Sequence, residues 1–169
     1  MGSATLATEE DLMALDYVVA VATARSVSEI AALVTSICPS GEIFDRATGD
    51  SLIDGISVER GLYLRVGAAR SRAWGNPVEE QFGFKPTVSI FFRVNKTESL
   101  DAQVDDMLYI ATELLSATSD DMIVYFLESG DVWAIRRAGS LELNSAAFIW
   151  TPERIEMVRQ PYAPMSYAL

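Results

Sequence analysis

Thr87-Val88-Ser89-Ile90-Phe91-Phe92-Arg93-Val94 is a run of β-branched and aromatic residues, and a helical stripe follows it. The run reads as a strand. Leu100, Val104, Met107, Leu108, Ala111, Leu114 and Leu115 then recur at helical spacing, which gives one apolar face. Asn95 or Thr97 is placed to cap that helix, and Glu98 and Asp101 suit its positive end. Asp120-Asp121 makes a turn. Met122 to Leu127 and Val132 to Arg137 read as two strands joined through Ser129-Gly130-Asp131, a hairpin connection. Leu141-Glu142-Leu143 extends the sheet.

The same order precedes this stretch. Leu15 to Ala24 is strand-like. Ser26-Val27-Ser28-Glu29 has capping-box spacing, and Ile30, Leu33, Val34 and Ile37 share one helical face before Pro39 and Gly41. Gly41 to Arg46 reads as a short strand, Gly49 to Gly55 as a turn, and Ile56 to Gly67 as a strand or hairpin. Ala68 to Gly83, with Gly75-Asn76-Pro77 as breakers, reads as the longest loop. The expected fold is therefore α+β: an antiparallel sheet with two helices, near 27–38 and 98–116, packed on one face. Its β-α-β-β order runs twice. Residues 1–169 are expected to form one domain, with 1–12 a flexible leader and 150–169 an irregular tail broken by Pro152, Pro161 and Pro164.

Composition excludes more than it identifies. Thirteen basic residues face 24 acidic ones in 169, a net charge of −11. A nucleic acid or an anionic membrane surface would be repelled, and no basic stripe offsets that. No run approaches the roughly 20 apolar residues of a membrane span. The chain has no histidine, so Ser-His-Asp and Cys-His catalysis and His-ligated zinc or iron are excluded. Cys38 is the single cysteine, which allows no internal disulfide and fits a reduced, partly buried thiol in a cytoplasmic protein.

The remaining candidates for chemistry are weak. Val66-Gly67-Ala68-Ala69-Arg70 lacks the glycine spacing and the Lys-Ser/Thr of a phosphate loop. Asp45, Asp50 and Asp54 lack the alternating ligands and terminal glutamate of a calcium loop, and read as turn formers. Ser71, Ser116 and Ser129 have no histidine to activate them. Arg93, Arg136 and Arg137 in strands read as salt-bridge partners rather than an anion site. No catalytic residue, cofactor or metal site is expected.

Acidity is the positive feature. Asp101, Asp105 and Asp106 are expected on the water-facing side of the second helix, and Glu128 and Asp131 beside the hairpin turn. Trp150, Tyr162, Met165 and Tyr167 supply aromatic and apolar anchors nearby. Such a surface suits a basic protein partner, because complementary charge speeds encounter and aromatics anchor it. A merely soluble acidic face is the plain alternative.

One stretch carries a family resemblance. Gly83-Phe84-Lys85-Pro86 and the strand after it, Met107-Leu108 and Leu114-Leu115, Val132-Trp133-Ala134-Ile135-Arg136-Arg137-Ala138-Gly139, Leu141-Glu142-Leu143-Asn144 and Trp150-Thr151-Pro152-Glu153-Arg154 resemble the Sit-type immunity proteins. These are small cytoplasmic bacterial proteins associated with contact-dependent, swarming-inhibition toxin systems. The turn Leu127-Glu128-Ser129-Gly130 departs from the Asn-Gly expected there. The resemblance implies a non-enzymatic protein that neutralises a cognate toxin by binding it, and it carries over no functional residues. The alternative is a metal-free small-ligand-binding or enzymatic domain on a βαββ-repeat scaffold.

Overall fold

The structure, a computed structural model, describes residues 15–37, 48–70 and 75–169. Cys38, Asp45, Ser71, the strand expected over Gly41 to Arg46 and the 1–12 leader lie outside the described residues.

In chain order the elements are β1 (Asp16–Ala22), α1 (Val27–Ile37), α2 (Gly49–Asp54), β2 (Ile56–Ser57), β3 (Tyr63–Ala68), α3 (Pro77–Phe82) and β4 (Val88–Arg93). Then come α4 (Leu100–Ala117), β5 (Asp121–Phe126), β6 (Asp131–Arg137), β7 (Ser140–Leu143), α5 (Pro152–Ile155), β8 (Tyr162–Pro164) and β9 (Tyr167–Ala168). Among the described residues the strands form one sheet in the order β2-β3-β4-β1-β5-β6-β7-β8, with β9 on β6. The β7-β8 pair is parallel, and β1, β3, β4, β5 and β6 pair antiparallel. The two expected halves interleave: β1 lies between β4 and β5. The core β3-β4-β1-β5, with helices between β1 and β3 and between β4 and β5, is the ferredoxin-like arrangement.

Alternation along each strand separates two cores. Val19, Val21, Ile90, Phe92 and Val124 face α1 and α4, which contribute Ile30, Val34, Leu108 and Leu114. Both expected helices thus pack on this face, and each fully buried aliphatic there contributes about 1.5–3 kcal/mol. Leu100 of the expected stripe is 45 % exposed because it opens the helix, before the stripe has turned inward. On the opposite face, Val18, Ala20, Ile123, Val132 and Ile135 pack with Val78 and Phe82 of α3, while Met165 and Tyr167 cover part of it.

Short helices replace two expected irregular stretches. Thr48 and Ser51 exchange capping bonds at the start of α2, so the turn over Gly49 to Gly55 is one helical turn and a half. In the expected loop, Asn76 caps α3 by accepting from the N–H of Val78 at 2.9 Å; Pro77 takes the first helical position and left-handed Gly83 ends it. The cap of α4 is Ser99, which accepts from the N–H of Ala102. Asn95 instead folds its own loop, accepting from the N–H and hydroxyl of Thr97. The tail expected to be irregular carries α5, β8 and β9, its prolines falling at element ends: Pro152 opens α5 and Pro164 closes β8. The β5-β6 register shifts between Val124 and Tyr125, beside the departing turn.

Candidate partner-binding surface

The five acidic residues do not form one solvated face. Asp106 is 2 % exposed and accepts from both Nε, at 3.1 Å, and Nη2 of Arg60. That hydrogen bond is the main cause raising the Arg60 pKa above its ordinary value. Asp106 is a structural ion-pair residue, contrary to expectation; its partner lies 46 residues upstream, where helical periodicity gives no hint of it. Asp105 accepts from Nε of the buried Arg154 at 2.7 Å. The same guanidinium donates to the carbonyls of Ile149, at 3.1 Å, and Asp101, at 3.2 Å. Arg154 therefore ties the loop before α5 to the first turn of α4.

Asp101, Glu128 and Asp131 remain exposed. The Asp101 side chain is 96 % exposed, 3.5 Å from Nη2 of Arg154. Glu128 accepts from the N–H of Asp16 at 3.3 Å, and Asp131 accepts from the Ser129 hydroxyl at 2.9 Å. Asp16 pairs with Arg93, and Tyr17 with Phe126. The β5-β6 turn and the connection leading from β4 into α4 therefore lie at one end of the sheet.

Of the four expected anchors, Tyr162 is exposed. Trp150 is buried with Nε1 donating to the Trp133 carbonyl at 3.0 Å, and Met165 and Tyr167 pack on the second core. Among the described residues the most exposed aromatic is Phe148, at 87 %, next to the Ile149 that Arg154 holds. Its one sequence signal is its place between the turn residues Asn144-Ser145 and the helix start Thr151-Pro152.

The strand arginines are structural. Arg93 grips Asp16 at 2.8 and 2.9 Å, and that bond chiefly raises its pKa. Arg137 pairs with Glu142 at 3.1 Å over the Phe82 ring. Arg136 is buried on carbonyls rather than against a carboxylate: it donates to Leu115 at 2.6 Å and Asp120 at 3.0 Å, closing the C-terminus of α4. Burial lowers its pKa, with Asp120 and Asp121 opposing. Among the described residues no cluster of acidic or cysteine side chains has the arrangement of a metal site, and no helix is long and apolar enough to cross a membrane.

The second sheet face also holds an open groove of about 670 Å³. Its floor is one cross-strand row set by the register, Arg65–Phe91–Val18–Tyr125. Gly67, Ser89 and Ala20 form the next row. Pro77 and Val78 wall one side, and the turn carrying Glu128 another.

No curated protein and no solved structure matches the chain. A family model described as SitI3-like matches residues 15–154, from the start of the sheet to the arginine that anchors α5. The chain belongs to the SitI3-like family.

Proposed function

We propose that the chain is a non-enzymatic immunity protein that binds and neutralises a cognate bacterial toxin domain in the cytoplasm. The observation that carries this is the SitI3-like match across both halves of the sheet. The surface supports it. Phe148 stands exposed beside Ile149, which Arg154 ties to Asp101, and Glu128 and Asp131 add negative charge at the β5-β6 turn. An aromatic anchor within an acidic rim suits a basic partner.

A metal-free ligand-binding domain is the second reading, favoured by the groove, whose volume is that of a small-molecule site. Its two cations, Arg65 and Arg70, are exposed at its β3 end rather than converging in an enclosed cavity, which suits a polypeptide better. The test is co-expression of the chain with the toxin domain encoded beside its gene. Survival of cells that otherwise die, together with co-purification of the two proteins, is the expected result. Death at the rate seen without the chain would overturn the proposal.

A further inference from the structure

The groove on the second sheet face has an ordered distribution of charge. Arg65 lies on β3, and Arg70 follows the same strand. Glu128 lies in the turn beyond β5. Between them the floor is apolar, Phe91 then Val18, with Tyr125 beyond. From β3 to β5 is three strand spacings, about 14 Å, which is the span of about four extended residues.

Two observations mark this row as built for an occupant. First, the protein carries a net charge of −11, and Arg25, Arg60, Arg93, Arg137, Arg154 and Arg159 all sit in ion pairs. Arg65 and Arg70 are exposed and have no carboxylate partner among the described residues. Among the described residues, exposed Lys85 also lacks an ion pair, but Arg65 and Arg70 are the two such cations that line the groove. Second, Gly67 is the next-to-last residue of β3, in the adjacent row, where glycine weakens a strand. A Cβ there would meet nothing within 4 Å, and the backbone is not in the left-handed region. Neither crowding nor conformation requires a glycine; its effect is to leave the floor open to close approach.

Resting on the immunity reading, we propose that this groove docks an extended segment of the toxin domain. The segment carries a carboxylate over β3, an apolar side chain over Phe91 and Val18, and a cation beside Glu128. Charge complementarity fixes the direction in which it lies across the strands.

The experiment measures binding of the chain to the catalytically inactivated toxin domain encoded beside its gene, with thermal melting of each variant alongside. Gly67→Leu fills the floor and Arg65→Glu reverses the β3 end. Each is expected to weaken binding about tenfold or more with melting unchanged, whereas Arg65→Lys stays within about threefold. The Arg65→Glu result discriminates sharply. If the partner met only a diffuse acidic surface, added negative charge would tighten its binding; the groove requires weaker binding. If Gly67→Leu alters folding, the two Arg65 variants decide alone. Parent binding with Arg65→Glu as tight or tighter would overturn the groove and leave the immunity reading standing. A parent chain that does not bind the toxin domain would overturn the reading, and the groove with it.

Discussion

The Arg60 guanidinium closes on the buried Asp106 carboxylate with two nitrogens, joining the β2-β3 connection to the middle of α4. Asp106 is 2 % exposed, and Arg60 is the cation that pairs with it. Asp106→Lys would place an ammonium against the Arg60 guanidinium at a buried position of α4. Removing one member of a buried pair costs about 3–5 kcal/mol, enough to consume much of a domain's stability. Arg60→Ala leaves the buried Asp106 carboxylate without its partner and should also destabilise, though less than Asp106→Lys because water can enter where the half-exposed guanidinium stood and no second cation is added. Urea denaturation of the two variants checks this, and equal midpoints for Asp106→Lys and parent would contradict the pairing.

Leu108 is fully buried between α4 and the sheet. Leu108→Asp leaves a carboxylate there without a hydrogen-bond partner, and the cooperative melt should be lost. A melt like the parent's would place the α4 stripe outside the core.

The β6-β7 hairpin turns through Ala138 and Gly139, at φ 49° and 81°. The left-handed region costs a non-glycine residue about 1–2 kcal/mol, and asparagine tolerates it best among side chains. Ala138→Asn should raise stability by about 0.5–1 kcal/mol, measured as an upward shift in Tm.

Burial, with Glu128 adding to it, raises the Tyr17 pKa above 10.0. The phenol is therefore still protonated in the folded chain at a pH where the unfolded chain has lost that proton. Its contribution is complete below pH 10 and is lost as pH rises through the higher folded value. Stability should fall on the alkaline side, and Tyr17→Phe should flatten that limb in melts taken across pH 9–11.

What could be read from the sequence depended on element length. The α4 stripe spans five turns, and its 3.6-residue period has no rival. α2 and α3 are six residues each, and their Gly, Asn and Pro residues mark helix ends as readily as loops. Asp105 and Asp106 read as solvated because a helical wheel carries no information about Arg60 or Arg154, which arrive from distant parts of the chain. Phe148 was missed for a different reason: Phe148-Ile149-Trp150 lies in a connection, where no periodicity separates the exposed Phe148 from the buried Ile149 and Trp150. The groove needed the register, since only the pairings of β1 with β4 and β5, and of β3 with β4, place Arg65, Phe91, Val18 and Tyr125 in one row.

Asp101 and Asp131 are exposed residues on which the acidic surface can be tested. Asp131→Lys should change stability by about 0.5 kcal/mol or less. Asp101 lies in the first turn of α4, 3.5 Å from Arg154, so its reversal also costs helix-end and ion-pair energy, which melting of each single variant reads separately from binding. The double variant Asp101→Lys, Asp131→Lys should associate more slowly with a basic toxin domain and lose part of the parent's salt dependence. Equal rates and equal salt slopes would show this end of the sheet to be merely solvated.

The most direct test of the central claim is a binding titration of the purified chain against the inactivated toxin domain encoded beside its gene, paired with an assay of the active toxin's own reaction. Immunity by binding predicts a saturable complex, and toxin activity that falls to background at the same stoichiometry. No complex, or a complex that leaves the toxin fully active, would contradict it.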